Sequence, residues 1–215
     1  MYKIYINENI LELKDAEDIK SGNHEKEAML APYGGKTKLL LSYVDMLEKT
    51  NKFKHVILYH KKLKVLWSDF KSLFEIIEAG GGIVRNEKKQ VLFIYRKGVW
   101  DLPKGKKEKK EKKRVTAVRE VEEETGIRNV SIHKKVIVTY HLYKLKTSKR
   151  AMKKTHWYAM SAVDQKLIPQ TKEQITKADW KKPDFFYNKD VEIYNSIVEV
   201  IEKFMKKQND LGFKL

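Results

Sequence analysis

Three glutamates stand close together on a segment whose apolar residues predict a helix. Valine recurs at every third position from 115 to 121, so these side chains can face a core. Glu120, Glu123 and Glu124 stand at i, i+3 and i+4 and therefore share the other face. Carboxylates side by side on one helix face indicate a site for a divalent cation.

The same acids lie at the end of the predicted helix, where the helix dipole disfavours negative charge. Gly126 is a candidate left-handed cap, and Glu122, Glu123 and Glu124 fill the turn before it. Each unfavourable charge costs roughly 0.3–1 kcal/mol. A solvated acidic helix end is therefore one interpretation, but a bound metal explains the arrangement better. Oxygen ligands in a chain without cysteine favour magnesium, manganese or calcium, and a few carboxylates that leave room for substrate phosphates suit magnesium best. This pattern predicts polyphosphate hydrolysis.

The acids belong to a longer pattern of fixed spacing in residues 105–127, which comprises Gly105, Glu111, Arg119, Glu120, Val121, Glu123, Glu124, Gly126 and Ile127. At these positions the segment resembles the complete signature of the Nudix hydrolases. The flanking pattern, from the three glycines at 80–82 through the segment at 100–104, extends the resemblance to residues 80–205. The sequence departs from the pattern at Lys110, where relatives commonly carry a second glycine.

The resemblance implies a role for each acid and for the arginine. Glu120 and Glu124 are expected to bind the metal directly. Glu123 is expected either to bind a metal or to orient and deprotonate the attacking water, with Glu120 as the alternative base. Arg119 is expected to hold a carboxylate in place through its planar guanidinium. Glu111 is expected either to bond to the residues that bind the metal, without touching the metal itself, or to be linked to the metal.

A backbone oxygen and three cations complete the predicted site. Gly105 is expected to offer its carbonyl oxygen to the metal, since a side chain there could obstruct the approach. Lys104, Lys106 and Arg96 are assigned to the substrate phosphates. The expected cofactor is Mg²⁺, with Mn²⁺ as a substitute, which would bridge phosphate oxygens and lower the pKa of a bound water enough to give hydroxide near neutral pH.

The fold class implied by the resemblance is α/β (α+β), with a Nudix-type mixed sheet in an α/β/α sandwich. This domain is assigned to residues 80–215. Residues 1–79 are assigned to a small α/β N-terminal domain, whose role the sequence does not indicate.

Hydrophobic periodicity predicts the individual elements. Before residue 80 these are a hairpin of strands at 2–6 and 10–13, helices at 36–49 and 68–80, and a strand at 55–59. After it they are strands at 83–85, 91–96, 130–145, 150–162 and 175–180, and a final helix at 191–205. The triple glycine at 80–82 is interpreted as a helix stop and a natural boundary.

Composition indicates the kind of partner. The 215 residues carry a formal net charge of +17, with a pI near 9.7, so the protein attracts polyanions. Basic residues are dense at positions 104–114, which we interpret as steering for an anionic, phosphate-rich small molecule, or else as a solvated loop. Nucleic acid is a possible partner but is not favoured, because the chain shows no paired aromatic platform or arginine-rich motif.

The same composition bears on the compartment. The absence of cysteine excludes disulfides and thiolate metal sites, and no apolar run approaches the roughly 20 residues of a membrane span. We therefore expect a cytoplasmic protein with no membrane partner. A homodimer is also expected, because dimers are common in the family that the chain resembles.

Two weaker patterns have competing interpretations. The segment Gly35-Lys36-Thr37 resembles the end of a phosphate-binding P-loop, but Leu30 stands where the first glycine belongs and no convincing buried strand precedes it. We therefore favour a turn and a helix start. Aromatic residues at 140–141, 156–158 and 185–187 could line a cleft or a lid, but packing within the fold is at least as good an explanation.

We therefore predict a magnesium-dependent Nudix-type hydrolase that cleaves a phosphoanhydride in a nucleoside diphosphate derivative or a similar polyphosphate. The segment at 100–105 favours dinucleoside polyphosphates or diphosphoinositol phosphates. The alternative is a regulatory protein that senses a nucleotide metabolite through the same domain, against which the intact acids argue.

Overall fold

The computed structural model describes residues 1–22, 27–50, 52–145, 147–207 and 210. The strands within these ranges are β1 (Tyr2–Ile6), β2 (Asn9–Asp15), β3 (Met29–Pro32), β4 (His55–His60), β5 (Glu75–Arg85), β6 (Val91–Arg96), β7 (Val99–Asp101), β8 (Lys104–Lys106), β9 (Ser131–Lys144), β10 (Arg150–Ser161) and β11 (Ile175–Lys181). The helices are α1 (Ala16–Lys20), α2 (Thr37–Lys49), α3 (Leu63–Ser72), α4 (Lys113–Thr125) and α5 (Asn195–Lys206). None of these helices is long and apolar enough to cross a membrane.

Backbone contacts divide the chain into two compact units. The first unit comprises Met1–Ile77 and Tyr140–Lys153, and the second comprises Glu78–Thr139 and Lys154–Leu215. Residues 140–153 thus belong with the first unit, although in the chain they lie between the two segments of the second. Compactness does not show that either part folds alone, so separate domains at 1–79 and 80–215 stay a prediction.

The first unit is a small α/β layer. β1 and β2 form an antiparallel hairpin, and β2, β4 and β3 lie parallel in that order. α2 buries Leu40, Val44 and Leu47, which recur at the spacing of one helix face, and α3 buries Leu66 and Phe70. These side chains form a single core with the apolar residues of β1, β2 and β4. The predicted hairpin, first helix and strand at 55–59 are confirmed.

The second unit has a sheet covered by helices on both faces. Its strands lie in the order β11, β6, β5, β10 and β9, with β7 paired to β6 and β8 paired to β5. Successive residues of a strand face opposite sides. Ile83 and Phe93 pack in a core with α5, whereas Val84 and Leu92 pack in a core with α4. The predicted α/β/α sandwich and the five predicted strands are confirmed, although β5 begins earlier than expected.

The second helix and the triple glycine differ from the prediction. α3 spans Leu63–Ser72, and the glycines lie inside β5 rather than at a helix end. A Cβ on Gly80 would lie 2.8 Å from the backbone nitrogen of Ala117, and one on Gly82 would lie 2.6 Å from Cγ2 of Val121. Glycine is therefore required because α4 packs closely on this strand. The interpretation of a helix stop at 80 is wrong.

Two further predictions are wrong in detail. α5 begins four residues after position 191, because Ile193 forms an isolated bridge with Trp100 before the helix starts. Val115 is 54% exposed and does not reach the core, unlike Val121. At the segment that resembles a P-loop, the favoured turn and helix start are confirmed, and only Ala31 of the preceding strand β3 is buried, in agreement with the prediction that no convincing buried strand precedes it.

Candidate active site

α4 carries the acidic cluster and is attached to the sheet by its apolar side. Ala117 and Val121 are fully buried in the core beneath the helix. The helix ends at Gly126, whose φ is +76° and whose backbone N–H donates to the carbonyl of Glu122 at 2.9 Å. This confirms the predicted left-handed cap.

The guanidinium of Arg119 connects three carboxylates. Its Nε and Nη2 donate to Oε1 and Oε2 of Glu111 at 2.9 and 3.1 Å. Its Nη1 donates to Oε1 of Glu120 at 2.9 Å and to Oε2 of Glu123 at 3.0 Å. Nη2 also donates to the carbonyl of Lys106 at 3.1 Å. One planar cation thus fixes the positions of two helix acids, one loop acid and the loop backbone.

Glu111 is bonded from the loop and the helix as well as by the arginine. Its Oε2 accepts the backbone N–H of Glu108 at 3.0 Å and the hydroxyl of Thr116 at 2.8 Å. The hydrogen bonds from Arg119 make the largest contribution to the pKa of Glu111, which falls to about 2. The same contact raises the pKa of Arg119. A carboxylate this acidic stays ionised, which suits it to holding the arginine rather than to transferring protons.

Glu120 and Glu124 are buried acids. Glu120 is 7% exposed and Glu124 is fully buried. Burial raises the pKa of Glu120, although Arg119 opposes the shift. Burial also raises the pKa of Glu124 to about 7, against the lowering influence of Lys104 and Arg96. Nη1 of Arg96 lies 3.5 Å from Oε1 of Glu124. Ionising such buried groups is costly, so a bound cation would stabilise their charged forms.

The short strand β8 brings the backbone of the loop against these acids. Gly105 of β8 pairs with Gly80 of β5. A Cβ on Gly105 would lie only 2.0 Å from Oε2 of Glu120, so a side chain at 105 would displace that carboxylate. The next backbone group, the N–H of Lys104, donates to Oε2 of Glu124 at 2.8 Å. Gly105, Glu120 and Glu124, which the sequence predicts to act together, are therefore neighbours.

These donors fit a hard divalent cation. The available donors are the carboxylate oxygens of Glu120, Glu123 and Glu124 and the backbone carbonyl oxygen of Gly105. Mg²⁺ and Mn²⁺ prefer oxygen ligands of these types. In the part of the chain that the structure describes, no three Asp, Glu, His or Cys side chains converge on one position that could hold a metal ion. Arg119 engages one oxygen each of Glu120 and Glu123. The set therefore suits a metal that keeps positions for water and substrate.

The three cations assigned to substrate phosphates have different surroundings. The ammonium group of Lys104 pairs with the buried carboxylate of Asp101, so its charge is balanced inside the protein. Nη1 of Arg96 lies 3.8 Å from Oε2 of Glu173. The side chain of Lys106 is exposed, next to the carbonyl that bonds Arg119. Lys106 is thus the best placed of the three for a ligand from solvent, and the assignment stays a prediction.

Sequence reasoning missed two acids near this cluster. Glu173 lies in the 3-10 turn Thr171–Glu173 before β11. Burial of Glu120 is the largest cause of the raised pKa of Glu120, and the negative charge of Glu173 raises it further. Asp101 accepts the N–H of Leu102 at 2.8 Å and pairs with Lys104. The i, i+3 spacing of Asp101 and Lys104 is a local signal that could have suggested their pairing. Glu173 is distant in the sequence, and no pattern placed it here.

The aromatic residues of β10 pack within the fold. Trp157 is buried, and its Nε1 donates to the hydroxyl of Thr139 at 2.9 Å. Tyr158 is 7% exposed, and the guanidinium of Arg114 lies 5.5 Å from its ring centroid. Phe186 is buried in the core with α5. Packing, rather than a substrate cleft or a lid, is therefore confirmed for Trp157 and Phe186, whereas Tyr158 packs against Arg114 at the edge of a pocket.

Comparisons with known proteins cover the segment that carries this cluster. A family model described as the NUDIX domain matches residues 78–201. The structure is similar to that of a MutT protein from Methanosarcina mazei Go1, with a TM-score of 0.50 and 21% identity over 63% of this chain and 96% of that chain. It is also similar to the E. coli ORF135 protein, with a TM-score of 0.48 and 18% identity over 66% and 96% of the two chains. A C. elegans Ap4A hydrolase matches with a TM-score of 0.45 and 20% identity over 62% and 98%. At 21% identity, the likeness to the MutT protein shows the fold alone.

Proposed function

The chain belongs to the NUDIX family of pyrophosphohydrolases, and on that premise we propose that it uses Mg²⁺ to hydrolyse a phosphoanhydride in a nucleoside diphosphate derivative or a similar polyphosphate. The observation that carries the proposal is the array around Arg119. Glu111, Glu120 and Glu123 bond to this one guanidinium, and the buried Glu124 lies one helical turn beyond Glu120. The oxygen donors of the array suit Mg²⁺, with Mn²⁺ as a substitute.

The proposed reaction adds water to phosphorus and breaks the bond between that phosphorus and the bridging oxygen. Mg²⁺, when bound, supplies positive charge to the phosphate oxygens and acidifies a water. Glu123 is the proposed base, because its side chain is 47% exposed and Arg119 bonds only its Oε2, so Oε1 can take the proton from the attacking water. The bridging oxygen leaves on the departing phosphate group.

Glu120 is the alternative base, and its surroundings suit a metal ligand better. Its Oε1 bonds to Arg119, and its Oε2 lies against the backbone of Gly105. Little room remains there for a water molecule that a carboxylate must deprotonate. Arg119 keeps Glu120 and Glu123 in place and neutralises part of their mutual repulsion.

The substrates that we favour are dinucleoside polyphosphates and diphosphoinositol phosphates. A net charge of +17 attracts such highly anionic molecules. Lys106 and Arg96, with Lys104 beside them, are the groups proposed to bind the phosphates. Nucleoside triphosphates and nucleotide sugars belong in the same assay.

We also propose that the protein is a homodimer, which light scattering would test by measuring its mass in solution. We further propose a cytoplasmic location, since the absence of cysteine is compatible with a reducing compartment.

The test is turnover by the wild type and by Glu123→Gln. Each would be incubated with Mg²⁺ and a panel of nucleotide polyphosphates, nucleotide sugars and diphosphoinositol phosphates, and phosphorus NMR would identify the products. Glu122→Gln is the matched control, because Glu122 lies on the same helix but contacts Arg128, at 3.9 Å, instead of Arg119. Hydrolysis of one class by the wild type and control alone would support the proposal. Mg²⁺-dependent binding without turnover would instead identify a metabolite sensor.

A further inference from the structure

A pocket beside the start of α4 is lined mainly by cations. Its volume is about 590 Å³, and its walls include Lys107, Lys112, Lys113 and Arg114, with Glu111 and Tyr158. We call this the basic pocket. All of its residues belong to the second unit. Four cationic side chains face one carboxylate, so the pocket has a strong positive potential.

Lys113 pairs with Glu78, but within the described parts of the chain the charges of Lys107, Lys112 and Arg114 are not balanced by a carboxylate of their own. Lys107 donates to a neighbouring backbone carbonyl at 2.9 Å. Arg114 donates to the carbonyls of residues 132 and 133 at 3.2 and 2.8 Å. Among the described residues, Lys112 has no ion-pair partner. Neutral carbonyl oxygens hold Lys107 and Arg114 in place but leave their positive charges for a ligand.

The one carboxylate in the wall does not offset this potential fully. Both oxygens of Glu111 are bonded to Arg119. Arg119 in turn bonds Glu120 and Glu123. Glu111, which lines the basic pocket, is therefore connected through Arg119 to the carboxylate cluster, so an extended anion could reach from one to the other.

More cations gather behind Lys113. Lys113 and Lys154 each lie 3.3 Å from an oxygen of Glu78, and Nε2 of His156 lies 2.6 Å from the same carboxylate. Burial lowers the pKa of Lys135, and the charges of Lys154 and Lys113 lower it further. The single carboxylate of Glu78 is thus shared by Lys113, Lys154 and His156. Positive charges crowded in this way repel one another until an anion binds.

We propose that the basic pocket binds a run of phosphate groups, outside the carboxylate cluster, that belong to the distal part of the substrate or to a free polyphosphate. Its volume accommodates several phosphates. Nucleic acid fits less well, because Tyr158, the aromatic residue in the wall, is buried under Arg114 and cannot stack on a base. The assignment of the pocket to the distal part of the substrate rests on the proposed function. Binding of a free polyphosphate does not depend on that function.

The first experiment measures binding without catalysis. Tripolyphosphate would be titrated into the full-length protein in EDTA by calorimetry, with the wild type, Lys107→Gln/Lys112→Gln, and the control Lys203→Gln/Lys206→Gln. The control removes the same charge from the last turns of α5. We expect the pocket variant alone to lose roughly tenfold in affinity, and added salt to weaken the wild-type complex. Equal affinity in all three proteins would overturn the site. So would an oligonucleotide of equal charge that binds more tightly than tripolyphosphate and is lost in the pocket variant.

The second experiment distinguishes the two sources of phosphate. If the pocket holds the distal part of the substrate, the pocket variant raises KM for a substrate with four or more phosphates much more than for one with two. If it holds a free polyphosphate, tripolyphosphate alters hydrolysis of the short substrate by the wild type but not by the pocket variant. Equal changes in KM for both substrates, with no response to tripolyphosphate, would overturn both roles. Absence of any turnover would count against the proposed function, and the calorimetric result would still decide the site.

Discussion

The backbone of Gly105 lies directly against the carboxylate of Glu120. A Cβ atom at Gly105 would be 2.0 Å from Oε2 and 2.2 Å from Cδ of Glu120. Two covalently unconnected atoms cannot approach so closely, so the loop and the helix carboxylate can meet only because residue 105 has no side chain. A glycine in the loop thus determines where an acid on the helix can lie.

Gly105→Ala should remove most of the activity while leaving the protein folded. The new methyl group must push the Glu120 carboxylate away from its position, and misplacement of a catalytic group by about 1 Å costs on the order of 100-fold in rate. The measurement is kcat/KM for the best substrate, together with Tm. Gly34→Ala is the matched control, because a Cβ at Gly34 meets nothing within 4 Å. Equal activity in both variants would contradict the proposed role of this contact.

Glu111→Gln should weaken catalysis by roughly 10–100-fold, the usual range for a group that orients a metal ligand. The neutral amide can accept hydrogen bonds at only one of its two heavy atoms, so the two-point bond to Arg119 is lost. Arg119 then holds Glu120 and Glu123 less firmly. The measurements are kcat and the Mg²⁺ concentration for half-maximal rate. Glu108→Gln is the control, since Glu108 supports Glu111 through its backbone N–H. If both substitutions had the same small effect, Glu111 would not position the arginine.

Lys110→Gly should stabilise the protein. Lys110 stands at a position where members of the family that the chain resembles commonly carry glycine. Its φ is +66°, a backbone conformation that residues with a Cβ adopt at a cost of roughly 1 kcal/mol. Glycine removes that strain, although its greater freedom in the unfolded chain takes back part of the gain. We expect a net increase of about 0.5 kcal/mol in the free energy of unfolding by urea. Lys109→Gly, at a neighbouring position without a positive φ, should be neutral or destabilising. A loss of stability in both variants would show that the loop tolerates lysine without strain.

Helix α4 could be predicted because the sequence signals that define it are local. Glu120, Glu123 and Glu124 share a face by spacing alone, and Gly126 ends the helix by its backbone conformation. The exposure of Val115 shows that a three-residue spacing alone does not predict burial. Each step of three residues falls about 60° short of a full helical turn. Val115 and Val121 are two such steps apart, so their side chains lie on different sides of the helix.

The remaining features depend on contacts between distant parts of the chain. Gly80 and Gly82 lie in a strand on which α4 packs too closely for a side chain, and Gly81 lies against Lys104 and Trp157. The sequence alone does not distinguish these requirements from a helix stop. Glu173 joins the cluster through the position of β11 beside β6. The balanced charge of Lys104 depends on Asp101, whose burial comes from the folded sheet.

The pH dependence of stability should reveal the protonation of Glu124 when no metal is bound. Its pKa rises from an ordinary 4.5 to about 7 because it is buried. Between these two values the folded protein binds more protons than the unfolded chain, so stability must fall as pH rises through this window. A difference of this size corresponds to about 3 kcal/mol.

Urea unfolding in EDTA at pH 4.5 and pH 7.5 would measure this loss for the wild type and for Glu124→Gln. Glutamine resembles the protonated acid in shape and charge, so the variant should lose less stability over the same interval; the difference between the two proteins isolates Glu124 from other titrating groups. With saturating Mg²⁺ the wild type should recover stability at pH 7.5, because a cation favours the ionised carboxylate, and Glu124→Gln should recover less. Parallel pH profiles in EDTA would show that Glu124 remains ionised in the metal-free protein.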